Sequence, residues 1–285
     1  MFSKYGKYAP AGIFTTTHFI SIAVCVVLIA LAIILTRKMK SKTFFTLLKV
    51  FSIALTVIEV IKMLWYVING IFELGKILPL YFCSLFIYAL WGAGSRNRIL
   101  KDIGMAYIAS AGIIAGGVFL AMPTSSFTYY PVFHFNCIHS LVFHSIMIYC
   151  GIMVYVTKTV KFTWKTVFNY CVFCLPFMLV AVLINKTANI NLMFINTPDG
   201  VPLPFLVTIY NFSSYLYTLL LIIVHLAMGP FMYGVNKLFG LITRKKCKVV
   251  NAVTEEDYEI EESNSEETIG NINMEVDEEL INKST

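Results

Sequence analysis

Residues 19–40 read FISIAVCVVLIALAIILTRKMK, an unbroken apolar run from Phe19 to Leu35 that ends on Arg37, Lys38 and Lys40. A run of this length crosses a hydrocarbon layer of about 30 Å as a helix, and the bases that follow it are a stop signal. No small-residue cleavage site follows the run and more apolar runs come after it, so the segment is expected to be an anchor and not a cleaved signal peptide. Similar runs recur from Leu47 to Ile68, Leu78 to Ala93, Ile103 to Met122, Val132 to Val156, Val167 to Ile184 and Leu206 to Tyr233. The chain is 58% hydrophobic and only 13% charged, which leaves no composition for the surface of a water-soluble domain. The expected fold is an all-α polytopic transmembrane helix bundle of about seven spans. Within span four, Ser110, Gly112, Gly116 and Gly117 form a small-residue ridge that lets a neighbouring helix approach closely.

The placement of charge predicts the orientation. Bases cluster after span one (Arg37, Lys38, Lys40, Lys42), span three (Arg96, Arg98, Lys101), span five (Lys158, Lys161, Lys165) and span seven (Arg244, Lys245, Lys246, Lys248), and the alternate loops carry only Lys76 and Lys186. The positive-inside rule then puts the amino terminus outside and the carboxyl terminus in the cytoplasm of a multi-pass cell-membrane protein. The net charge of +6 divides into −11 for residues 251–285 and +17 for the rest. Residues 1–245 are thus expected to form the membrane domain and 246–285 an acidic, disordered tail able to contact a soluble protein. The bases lie in short loops between apolar runs, so nucleic acid is not an expected partner and membrane lipids are. Tyr129, Tyr130 and Trp164 bracket span five as interfacial aromatics.

Ionisable groups in a span are expensive and mark candidate sites. Glu59 and Lys62 stand at i and i+3 in span two, with Tyr66 a turn beyond. His134, His139 and His144 occupy one segment, FHFNCIHSLVFH (residues 133–144). Steps of five residues turn a side chain by about 140°, so the three share no stripe and no metal site is expected. Cys171 and Cys174 form C-x-x-C within an apolar span, a packing pair. Span three opens with Leu78-Pro79-Leu80-Tyr81-Phe82-Cys83, which sets Cys83 roughly 8 Å below the outer boundary, against roughly 10 Å for His139 and 18 Å for His144. Cys83 and a histidine can meet, and a thiol beside an imidazole can carry an acyl group as a thioester. A competing reading makes Glu59, Lys62 and the histidines the lining of a midplane cavity in a transporter or small-molecule binder. A third is a non-enzymatic accessory subunit. No nucleotide-binding string is present, so no cofactor is expected.

The Leu-Pro-Leu-x-x-Cys string at residues 78–83, the histidine-bearing span after Pro131, and Asn191-Leu192-Met193-Phe194 leading to Pro198 resemble the YwaF-like family of bacterial integral membrane proteins, also described by its treponemal member. That family is similar to a eukaryotic transmembrane phospholipid acyltransferase and, more distantly, to androgen-induced fatty-acid-ester hydrolases. The resemblance implies a lipid acyltransferase or lipid-ester hydrolase with a lipid or small hydrophobic substrate and a pocket near the outer leaflet. It implies Cys83 as nucleophile, His144 as general base and Asn191 near the mouth; on the enzyme reading His139, Glu59 or Tyr66 orients the base. The loop from Asn185 to Leu203 is then a lid over that pocket or a plain connector. Its Asn185-Lys186-Thr187 sequon is a chance match.

Overall fold

A computed structural model describes residues 2–4, 6–199, 201 and 203–240. The acidic segment, Cys247 and the bases at 244–248 lie outside the described residues. Two compact units divide at residues 233 and 234. Of the second, residues 234–240 are described and are helical.

Every regular element among the described residues is a helix: α1 (Thr16–Thr36), α2 (Ser41–Ile68), α3 (Leu74–Ile77), α4 (Leu85–Gly94), α5 (Arg98–Ala121), α6 (Thr124–Phe127), α7 (Phe135–Val156), α8 (Trp164–Ala188), α9 (Pro204–Phe212) and α10 (Ser214–Gly240), with one 3-10 turn at Leu192–Phe194 between α8 and α9. Six of them are long and apolar enough to cross a membrane, and α4 is a shorter apolar helix. The chain is a polytopic helical bundle.

Contacts at the helix ends give an up-and-down course in residues 1–233. On the amino face, His18 Nε2 donates to Leu120 O (2.9 Å), Ala11 N donates to Tyr130 O (2.9 Å), and the Trp65 ring meets those of Tyr130 and His134. On the far face, Thr36 Oγ1 and Tyr149 Oη are 2.9 Å apart, Ser41 Oγ donates to Thr157 O, and Lys165 lies 3.9 Å from Asp102. The loop bases after α1, α4 and α7 therefore gather on the far face.

Helix α1 is apolar all round but buries only His18, Ser21, Cys25 and Ile29, one stripe against α7, and leaves its other sides for lipid. Helix α5 is the reverse. Residues Gly104 to Gly112 are all buried, because α5 packs on α4, α7 and α8 together. Close approach depends on missing side chains. A Cβ on Gly104 would stand 2.4 Å from Ala89 O and 2.6 Å from Ala93 N, and Gly112 and Gly151 meet in the same way across α5 and α7.

Three expectations need correction. Span three is not a helix from Leu78. Pro79 lacks an N–H and steers Leu78 to an extended backbone (φ −74°, ψ 123°), so helix begins only at Leu85. At 1.5 Å per residue the ten residues of α4 cover about 15 Å, half a hydrocarbon layer. Span seven is broken at Ser213 (φ −162°, ψ 117°), whose hydroxyl accepts Leu216 N and starts α10 afresh. Tyr130 is not an interfacial ring, since it is buried and stacked on His134.

Candidate functional site

The second half of α2 and the first turns of α7 bring the ionisable groups together near the amino face. Glu59 is 4% exposed. Its Oε1 lies 2.5 Å from Lys62 Nζ, and its Oε2 lies 3.3 Å from His139 Nε2. The i,i+3 spacing on α2 makes the first contact, and the packing of α2 on α7 makes the second. The Glu59 contact is one of proximity and charge, because Nε2 makes no hydrogen bond among the described residues. Its Nδ1 is likewise buried and without a hydrogen-bond partner among the described residues.

A turn nearer the amino face the cluster continues through uncharged groups. Tyr66 Oη accepts from Asn136 Nδ2 (3.4 Å) and from Tyr130 Oη (3.4 Å). His134 caps α7, with Nδ1 accepting Asn136 N (3.1 Å) and Nε2 donating to Ser3 O (3.1 Å). The amino-terminal segment is thereby strapped over the site, with Phe2 stacked on Phe135. Burial holds the His134 imidazole below its ordinary range, against the opposing pull of Ser3 O.

His144 stands apart from this cluster. Its Nδ1 donates to Ser140 O (2.7 Å), its ring lies flat on Phe119 of α5 (centroids 3.6 Å, 8°), and its Nε2 is buried without a partner among the described residues. No hydrogen bond joins it to Cys83. Cys83 lies in the turn ahead of α4, packed on the main core. Its neighbour Phe86 meets Phe143 edge to face (5.9 Å, 77°). Phe86 follows Cys83 by one turn, its N–H on Cys83 O (3.0 Å), and Phe143 follows His139 by one turn. Helices α4 and α7 run in the same direction from the amino face. That ring contact joins α4 and α7 one turn beyond Cys83 and His139, and among the described residues no hydrogen bond or ion pair joins the two.

Asn191 is committed to its own loop. Oδ1 accepts the N–H groups of Asn196 and Thr197, and Nδ2 donates to Thr197 O and Asp199 O. Asn185, 2% exposed, clasps both backbone groups of Leu192, and this uses up the sequon asparagine. The loop seats Leu192, Met193 and Ile195 in the core, and Phe194 against Tyr81.

Sequence reasoning missed four residues. Asn136 lies on the same face as His139, three positions before it, and an amide in an apolar helix was a usable signal. His225 is the only His, Lys, Arg, Asp or Glu between Ser214 and Tyr233, and its ring meets Phe82 at 4.5 Å. Tyr107 and Tyr170 are fully buried and donate to Phe82 O and His225 O, contacts between distant residues that leave no local pattern. Among the described residues, no group of three His, Cys, Asp or Glu side chains is placed to hold a metal ion.

Long apolar helices in up-and-down order, one of half length, around a buried ionised cluster define a multi-span helical membrane protein with an intramembrane polar site. The chain belongs to the TMEM164 family, whose model matches residues 13–229 and so takes in the whole of this site. No curated protein and no solved structure matches it.

Proposed function

We propose that this protein transfers acyl groups to or from membrane lipids through a thioester on Cys83, with His139 as general base and Glu59 fixing its tautomer. The observation that carries the reading is the His139 imidazole. Its Nε2 lies 3.3 Å from a buried carboxylate, and neither ring nitrogen makes a hydrogen bond among the described residues. That is the logic of a nucleophile–base–carboxylate triad. Lys62 neutralises the second carboxylate oxygen and so lowers the cost of keeping Glu59 in the bundle. The resemblance of residues 78–83 to a family related to a phospholipid acyltransferase supports the same chemistry.

In the forward step Cys83 Sγ bonds to the carbonyl carbon of an ester while its proton passes to His139 Nδ1. The carbonyl electron pair moves to oxygen and returns as the ester C–O bond breaks. The departing alkoxide takes the proton from His139, leaving a thioester and a free hydroxyl. A second lipid hydroxyl, or water, reverses the sequence. With the basic far face in the cytoplasm, as the positive-inside rule places it, the site faces the outer leaflet.

The test is transfer of a labelled acyl chain from phospholipid to lysophospholipid in vesicles holding the full chain. Cys83→Ser and His139→Ala are expected to lower turnover by about 100-fold or more, with His144→Ala retaining most of it. Loss in His144→Ala and not in His139→Ala would move the base to His144, whose Nε2 is also unpartnered. Full turnover by Cys83→Ser would end the reading.

A further inference from the structure

The loops after α1, α4 and α7 converge on the far face. Residues 37–42, 96–101 and 158–165 carry ten Lys or Arg and no acid, and Asp102 is the one acid beside them. Nine of the ten bases are exposed and Lys101 is half-buried, so the charge faces outward. Contacts between the three stretches hold them together. Ser41 Oγ donates to Thr157 O (3.3 Å), Lys101 Nζ lies 3.5 Å from the centre of the Phe45 ring, and Lys165 reaches Asp102 at 3.9 Å. That last pair is long and its lysine is exposed, so one carboxylate offsets little of the charge. Among the described residues it is the only ion pair that any of the ten makes.

The helices do not account for this charge. Arg37, Arg96 and Lys158 follow helix ends and complement their dipoles, but Lys42, Arg98, Lys101 and Lys165 stand in the first turns of α2, α5 and α8. There the dipole opposes a positive group, and none of those turns holds an acid to offset it. What lies beside the bases selects the partner. Exposed Ile99 and Leu100 separate Arg98 from Lys101, exposed Trp164 precedes Lys165, and exposed Leu35 stands two positions before Arg37. A soluble anion or an acidic polypeptide would answer the bases and leave these side chains in water. A phospholipid answers both, with its phosphate on the bases and its chains on the apolar residues.

We propose that the far face is a binding surface for acidic phospholipids, with the headgroup seated where Arg98, Lys101 and Lys165 meet. Arg98 and Lys101 stand at i and i+3 and share one side of α5, and Asp102 beside them ties that side to Lys165 of α8. The surface lies at the opposite end of the bundle from Glu59 and His139. A lipid held there is a bound ligand and not the substrate of the acyl transfer proposed above, and the inference does not depend on that transfer.

Trp164 reports on this surface, and the chain has only two other tryptophans, Trp65 and Trp91. The full chain with those two changed to Phe is placed in phosphatidylcholine nanodiscs that hold a minor share of brominated phosphatidylglycerol or, separately, brominated phosphatidylcholine, and quenching of Trp164 is compared. At low salt the acidic lipid is expected to be preferred by about 5-fold or more. The preference should fall towards equality at about 1 M salt, where screening shortens to about 3 Å, a comparison that needs no base to be replaced. Arg98→Gln/Lys101→Gln/Lys165→Gln should abolish it at low salt, and Lys186→Gln, on the amino face, should leave it intact. Native mass spectrometry of the unaltered chain should likewise retain phosphatidylglycerol over phosphatidylcholine. Equal quenching by the two lipids at low salt, or a preference that survives the triple variant, would overturn the proposal. Displacement of phosphatidylglycerol by an equal concentration of inorganic phosphate would overturn it too, since the bases would then be reading a free anion.

Discussion

Replacing Gly104 by alanine tests the contact that positions α4, and with it the Cys83 turn. The added Cβ would lie 2.4 Å from Ala89 O, 2.6 Å from Ala93 N and 3.0 Å from Gly92 C. All three are backbone atoms, so no rotamer change relieves the clash and α4 must move off α5 by about 1 Å to reach ordinary contact. Overpacking of this kind costs about 1–3 kcal/mol, and a backbone-on-backbone clash belongs at the upper end. For a unit of this size, about 3 kcal/mol corresponds to a fall of roughly 6–12 °C in Tm. Gly117→Ala, in the same helix with nothing within 4 Å of the new Cβ, is the control. It gains helix propensity of about 1 kcal/mol and should melt at or above wild type. The assay is the monodisperse fraction remaining after heating in detergent, followed by the rate of Cys83 alkylation. If Gly104→Ala is as stable as Gly117→Ala, the α4–α5 packing described above is wrong.

Glu59→Gln strips the counter-charge from the mostly buried Lys62 and should cost about 3 kcal/mol, the low end for a broken buried pair. The double variant Glu59→Gln/Lys62→Met should recover much of that in the same thermal assay. Burial lowers the His134 pKa, so its neutral form is the one the fold favours. As the pH falls from about 7 to about 5, the unfolded or unstrapped chain takes up the proton first and stability is lost, an effect absent above that range. Hydrogen exchange around Ser3 should therefore quicken on acidification, and His134→Asn, which keeps a capping side chain, should flatten the response. Asn185→Ala leaves both backbone groups of Leu192 unpaired in the core and should cost about 2–4 kcal/mol, seen as faster exchange at Leu192–Phe194.

The bundle was legible because hydropathy reads length and polarity directly, as at Thr16–Thr36. The break at residues 78–84 was not. Leu78, Leu80, Tyr81 and Phe82 are as apolar as any span, and only Pro79 hints that the helix starts late. What holds the turn is the Tyr107 hydroxyl, 25 positions away. The Glu59–Lys62 contact could be read from i,i+3 spacing, but its third member could not, because His139 joins from another helix. Angular arithmetic separated His139 from His144, yet it cannot say which neighbour each ring meets, Glu59 of α2 in the first case. The second depends on α5, whose Phe119 takes the His144 ring. The resemblance set Asn191 near the pocket mouth, and it is its own loop that occupies it.

The account is tested most directly by trapping the acyl-enzyme. The full chain in nanodiscs is incubated with a labelled acyl-donor phospholipid and no acceptor, quenched in acid, and its peptides are weighed. The account predicts one hydroxylamine-labile acyl group, on Cys83, that forms far more slowly in His139→Ala and Glu59→Gln than in His144→Ala. An acyl group on another residue, or none on Cys83 while the protein still turns the lipid over, would contradict it.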